Sequence, residues 1–133
     1  MKYVTDNNKP IIGIVLIILL LVIRINIDDK REREIQENIK THRFETVAKV
    51  TSYSMDDSGP HYGFKYFYED KEYNNANPSY DGVGELSKGK YYRLELSAQN
   101  PHFSNILLGQ EVTDTILIKK AGLMKNYVEG LFN

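Results

Sequence analysis

His61 to Glu69 reads HYGFKYFYE, and its two-residue repeat decides the fold of the soluble part of the chain. Tyr62, Phe64, Tyr66 and Tyr68 fall on one face of an extended segment, the pattern of a strand with one side buried. A helix would scatter these rings around its axis, so the stretch predicts a β-strand. Just upstream, Met55 to Pro60 (MDDSGP) concentrates turn-forming residues. Upstream again, Phe44, Thr46, Ala48 and Val50 alternate against Glu45, Lys49 and Thr51, which predicts a first strand reaching about Tyr53. Downstream, Glu69-Asp70-Lys71 closes a tight turn into a short third strand around Glu72 and Tyr73. Asn74 to Lys90 (NNANPSYDGVGELSKGK) is expected to be an excursion with several turns. Tyr91 to Ser97 (YYRLELS) and Asn105 to Gly109 (NILLG) predict strands four and five, separated by a turn at Asn100-Pro101.

These short strands predict a fold that is mainly β with α. The sheet is a small antiparallel five-stranded one, or the same strands curled into an SH3-like or OB-like barrel that covers its edges. The tail from Thr113 to Asn133 suits strand or helix around Ile116 and Ile118. Leu123, Met124, Tyr127, Val128 and Leu131 recur at helical spacing and favour a final helix from about Lys120, against which Gly122 and Gly130 count.

Ahead of the strands, Asp28 to His42 (DDKREREIQENIKTH) is dense in charge and free of Pro and Gly. Opposite charges at Asp29/Arg33, Lys30/Glu34 and Arg33/Glu37 stand four residues apart, so this is a helical stalk, newly capped at Asp28 and Asp29 or continuous with what precedes it. Its two isoleucines, Ile35 and Ile39, fall short of a coiled-coil seam. Further upstream, Ile11 to Ile23 (IIGIVLIILLLVI) carries no polar side chain on any face. Such a helix is buried all round, either in a protein core or in a bilayer. Extended to Ile27 it rises about 26 Å, close to a hydrocarbon layer of roughly 30 Å, with Lys9 and Arg24 placed to snorkel to the two interfaces. No small-residue cleavage site follows the run and the chain has no cysteine to carry a lipid, which points to an uncleaved single-pass signal anchor. Arg24, Lys30, Arg31, Arg33 and Lys40 follow the span while Lys2 and Lys9 precede it. That asymmetry leans toward a cytoplasmic main domain, although a basic leader ahead of a signal anchor would export it. The resulting segments are an N-terminal tail (1–10), an anchor (11–27), a stalk (28–43), a β domain (44–112) and a C-terminal tail (113–133).

Charge divides unevenly, with a net of +2 up to Arg43 and −3 from Phe44 onward. A mildly acidic soluble part lacks the basic patch that phosphate backbones require, which disfavours nucleic acid. His42, His61 and His102 have no metal-ligand spacing, and no serine lies in G-x-S-x-G. Asp81-Gly82-Val83-Gly84 lacks the strand-to-helix setting of a nucleotide loop, and Asp56-Asp57-Ser58-Gly59 lacks the spacing of a calcium loop. No catalytic residue, metal or cofactor is therefore expected. The compositional excess is tyrosine, ten residues with no tryptophan. One reading of it is cross-strand packing in a small sheet, and the alternative is an aromatic binding surface carried by Tyr62, Tyr66, Tyr68 and Tyr91.

Ala48 to Thr51 (AKVT), Tyr62 to Tyr68 (YGFKYFY), Gly89 to Ser97 (GKYYRLELS), Asn100-Pro101 and Ser104 to Leu108 (SNILL), behind an anchor and a charged stalk, resemble a family of uncharacterised small envelope proteins common in Bacteroidetes. The resemblance covers Met1 to Val112 and implies a small β-rich domain behind one membrane span, with no activity or catalytic residues to carry over. The tail after Thr113 departs from it. Together these features predict a non-enzymatic, membrane-anchored interaction or structural module whose partners are the lipid bilayer and a protein. The alternative is an envelope sensor that binds a peptide, glycan or other small ligand on a tyrosine-rich sheet face.

Overall fold

A single helix, α1 (Lys9–Thr41), carries both the apolar run and the charged stalk, so Asp28 and Asp29 lie within it and cap nothing. The computed structural model describes residues 8–124, and the chain divides into two units after Glu37. Pro10 stands in the first turn of α1, where its missing N–H has no helical partner to lose. In the first unit the large apolar side chains from Ile11 to Ile27 are 43 to 66% exposed, and the helix is long and apolar enough to cross a membrane. Along the charged part, Arg33 Nε donates to the Asp29 carbonyl at 3.4 Å and Gln36 Nε2 to Glu32 Oε1 at 3.0 Å. Arg33 thus meets the backbone of Asp29, not its carboxylate.

The second unit is an open five-stranded antiparallel sheet with a short helix. β1 (Arg43–Asp56), β2 (Gly59–Tyr68), β3 (Lys71–Pro78), β4 (Tyr91–Ser97) and β5 (Ser104–Glu111) lie in the order β3-β2-β1-β4-β5. α2 (Thr115–Lys120) follows the last strand. The inner face of the sheet holds the main core, with Val50, Tyr62, Phe64, Tyr66, Leu94 and Leu96 all but inaccessible to solvent. On the outer face, Val47 and Val112 form a second cluster with Ile118 of α2 and with Leu123 just beyond it.

The sheet curls until its two edges, β3 and β5, run side by side in the same direction, yet it is not a closed barrel. Asparagine side chains stand where a backbone ladder would be. Asn75 Nδ2 donates to Ser104 Oγ at 2.8 Å and to the His102 carbonyl at 3.0 Å, and Asn77 Oδ1 accepts from the Ile106 N–H at 3.1 Å. The OB-like or SH3-like closure expected from the strand count therefore stops one hydrogen-bonding layer short.

β3 continues to Pro78, well past the Glu72-Tyr73 nucleus expected of it, because Asn74 to Pro78 pair along β2 from Lys65 back to His61. Polar composition marks this segment as an edge, and the partners on β2 hold it as a strand. β1 and β5 likewise overrun their expected ends, at Asp56 and Glu111.

The final helix is displaced from its expected position, since α2 ends at Lys120, where it was expected to begin. Asp114 caps its start by accepting from the Ile116 N–H at 2.9 Å. Gly122, in the left-handed region at φ +87°, ends it. The Gly122 N–H donates to the Lys119 carbonyl at 3.0 Å and the Leu123 N–H to the Ile118 carbonyl at 3.3 Å, the paired bonds of a Schellman cap. The part of the expected helix beyond Met124 lies outside the described residues.

Asn77→Ala leaves the Ile106 N–H unpaired at the seam, with an expected loss of about 1 to 3 kcal/mol in urea unfolding of the full chain. Asn77→Asp, which keeps the acceptor, is expected to lose less.

Candidate functional site

Tyr62 and Tyr66, expected on an aromatic surface, are 1% and 0% exposed and belong to the inner core. Their alternation with His61, Gly63 and Lys65 puts them on the face that the curled sheet encloses, which corrects the platform reading at both positions. Burial obliges each phenol to find a partner. Tyr62 Oη accepts from the Gly84 N–H at 2.9 Å, and Tyr66 Oη donates to the Pro101 carbonyl at 2.5 Å. Burial pushes the Tyr66 hydroxyl above the usual tyrosine range, so it stays protonated as a donor.

Tyr68 and Tyr91 are half-buried. Phe44 meets Tyr68 edge-on at 5.0 Å between ring centres, and Lys49 Nζ stands 5.8 Å from the Tyr91 ring centre. Of the four tyrosines, Tyr68 lines a cleft of substantial size.

That cleft, of about 610 Å³, lies at the C-terminal end of α2. Phe44, Phe67 and Tyr68 supply aromatic walls, the β2–β3 turn brings Glu69 and Asp70, and α2 brings Lys119 and Lys120. A second cleft of about 290 Å³ adjoins it, also lined by α2, and shares Phe44, Thr46, Lys120 and Ala121 with the first. The acidic wall comes from an unusual turn, because Glu69 and Asp70 both have positive φ (51° and 64°) where a two-residue hairpin favours Asn and Gly. Sequence spacing marked the turn and left its neighbour unmarked, because α2 stands some forty-five residues away along the chain. The arrangement is a mixed-charge groove with aromatic walls.

A second cluster sits on the β1–β2 turn. Ser58 Oγ donates to Asp56 Oδ1 at 2.5 Å, the Ser58 N–H donates to the same oxygen at 2.8 Å, and His61 Nε2 stands 2.8 Å from Ser58 Oγ. Serine, histidine and aspartate are together, but in the wrong order for nucleophilic catalysis. An activating histidine must lie between the carboxylate and the hydroxyl, whereas here the serine proton goes to the carboxylate directly and the same His61 nitrogen also faces Asp56 at 3.4 Å. The cluster is a side-chain lock on a tight turn. Hydrogen bonds from the Ser58 hydroxyl and then its N–H hold the Asp56 carboxyl below the usual aspartate range. His102 belongs to neither cluster and packs edge-on to Tyr73, at 5.0 Å between ring centres. Among the described residues, no group of three or more His, Asp and Glu could hold a metal ion.

Lys9 and Arg24, the expected interface residues, both lie on α1, about 22 Å apart along its axis. No family model, curated protein or solved structure matches the chain.

Two titrations test these assignments. The lowered Asp56 carboxyl contributes stability above the ordinary aspartate range and loses it as pH falls through the lowered value. Ser58→Ala should raise the Asp56 pKa in a carboxyl-carbon NMR titration, and an unmoved value would contradict the lock. The raised Tyr66 hydroxyl contributes stability below the ordinary tyrosine range and loses it as pH rises through the raised value. Tyr66→Phe should remove part of that alkaline fall in melting temperature and cost about 1 kcal/mol at neutral pH.

Proposed function

We propose that the chain is a non-enzymatic, single-pass membrane-anchored interaction module of the kind the envelope-protein resemblance implies. The observation that carries this reading is the surface of α1, where every large apolar side chain from Ile11 to Ile27 stands open to the surroundings. An apolar surface of that extent, closed around the whole helix, calls for lipid. The span is slightly short for the bilayer, and Lys9 and Arg24 extend it by reaching toward headgroups. The basic residues from Arg24 to Lys40 favour a cytoplasmic domain over an exported one.

On the sheet domain, the mixed-charge groove beside α2 offers a place for a protein segment, and the reversed wiring at Ser58 argues against a hydrolase. The sensor alternative loses the tyrosine-rich face that motivated it, because Tyr62 and Tyr66 are core residues. What supports a small ligand now is the groove that includes Tyr68.

The expected outcome is that the full chain stays with the membrane pellet through alkaline carbonate washing and is released by detergent. Replacing Leu16, Leu19, Leu20 and Ile23 with serine should free it into the wash. Release of the unaltered chain by carbonate would refute the anchor. In membranes, photo-crosslinkers placed at Thr46 and Lys120 should reach one recurring protein neighbour, and a pattern of lipid or solvent adducts alone would count against the interaction module.

A further inference from the structure

The end of the sheet opposite Arg43 carries a second, unpartnered surface. β1 reaches Asp56 there, about 43 Å along the strand from Arg43, and meets the segment that joins β3 to β4. Four large apolar side chains stand out at this end: Tyr80 is 83% exposed, Leu86 73%, Met55 64% and Val83 57%.

These side chains do not hang on a slack loop. The Ser79 N–H donates to the Pro60 carbonyl at 3.1 Å, the Val83 N–H to Ser87 Oγ at 3.2 Å, and the Gly89 N–H to the Val50 carbonyl at 2.8 Å. Gly84 is tied to Tyr62, and Ser87 is completely buried. Glycines permit the close approaches. A Cβ on Gly59 would come within 2.6 Å of the Tyr80 hydroxyl, and one on Gly82 within 2.5 Å of the Tyr62 ring. The segment is thus fixed to the core on one side while it presents apolar side chains on the other, the preorganised state that lowers the entropy cost of binding.

Charge narrows the occupant. Asp56, Asp57, Asp81 and Glu85 lie within or beside this segment and the adjoining turn. Against them stand Lys88, which pairs with Glu85 at 3.6 Å, Lys90, which is drawn toward Glu111 on β5 at 4.0 Å, and His61, already engaged with Ser58 and Asp56, so the acidic residues keep an excess of two over the lysines. An acidic rim is repelled by an anionic bilayer and by a second copy of itself, and it attracts cations. Resting on the interaction-module reading, we infer that this end of the sheet docks a partner-protein segment that combines apolar side chains with lysine or arginine.

The test uses the full chain in zwitterionic nanodiscs with its methionine methyl groups labelled with carbon-13. Met55 reports on the surface, and Met124, packed on the outer face of the sheet, serves as the internal control. The probes are the peptide Lys-Leu-Lys-Leu-Lys-Leu and its counterpart with glutamate in place of lysine, each also titrated against empty nanodiscs. The cationic peptide should shift the Met55 methyl resonance and leave Met124 in place, and the acidic counterpart should bind about tenfold or more weakly. Leu86→Ser should weaken the cationic peptide to a similar degree, as should Asp57→Lys combined with Asp81→Lys. Equal responses to the two peptides, equal movement of both methyl groups, or a silent Met55 would each overturn the inference. Because the chain is already in a bilayer and the readout is local to Met55, such a failure is distinct from failure of the anchor, which carbonate washing reads.

Discussion

Burying a tyrosine commits the fold at two places, one for the ring and one for the hydroxyl. Here the rings of Tyr62 and Tyr66 fill the inner face of the sheet, and their hydroxyls reach out of the core in two directions. Tyr62 holds the β3–β4 segment through the Gly84 N–H, and Tyr66 holds the β4–β5 turn through the Pro101 carbonyl. An unpaired phenol in either place would cost about 1 to 3 kcal/mol, a large share of what a domain of this size has in hand. The tyrosine content is therefore the means by which a small core organises its loops. Phenylalanine would pack as well and would tie down neither.

Strand periodicity was legible because the inner core obeys it. Tyr62, Phe64 and Tyr66 on β2, and Tyr92, Leu94 and Leu96 on β4, alternate cleanly and are buried as alternation requires. Periodicity could not say whether a tyrosine face meets protein or solvent, since either partner suits a ring with a polar tip. Hence the strand containing Tyr62 and Tyr66 was legible while their role was not. β3 was half legible for a different reason. Asn74 to Pro78 has turn composition, and its extension depends on β2 and on seam contacts to β5 some thirty residues away. α2 was misplaced because its signals are the cap at Asp114 and the stop at Gly122, whereas the hydrophobic repeat that pointed to Lys120 and beyond ignores both.

The open seam follows from the same economy of backbone groups. β3 and β5 approach in the parallel sense, which lacks the closely spaced paired hydrogen bonds of an antiparallel ladder. Asn75 and Asn77 bridge the remaining gap with side chains, so the Ile106 N–H, the Ser104 hydroxyl and the His102 carbonyl find partners without full closure. A five-stranded sheet with exposed edges invites pairing with other chains. The asparagine bridge occupies part of each edge, and at the far part of β5 the register shift between Tyr92 and Arg93 bends the strand away from a flat template. The asparagine bridge and the bent end of β5 thus leave less of each edge free for pairing, and the proposed interaction role rests on two other surfaces, the groove and the apolar tip.

Those surfaces lie at opposite ends of one strand. Phe44 and Thr46, near the start of β1, line the groove beside α2, and Met55, near its end, belongs to the apolar tip. Between them Val47, Ala48 and Val50 are buried, with neighbours on both faces, so β1 is the best supported element of the sheet. A central strand fixed in this way holds the two ends at a constant separation and leaves each free to differ in chemistry. The groove balances acidic Glu69 and Asp70 against basic Lys119 and Lys120, whereas the tip is acidic and apolar. On the proposed reading, a segment suited to one end is poorly suited to the other. In the proposed interaction module, unlike surfaces on one strand would discriminate between partner segments with no need for the sheet to change shape.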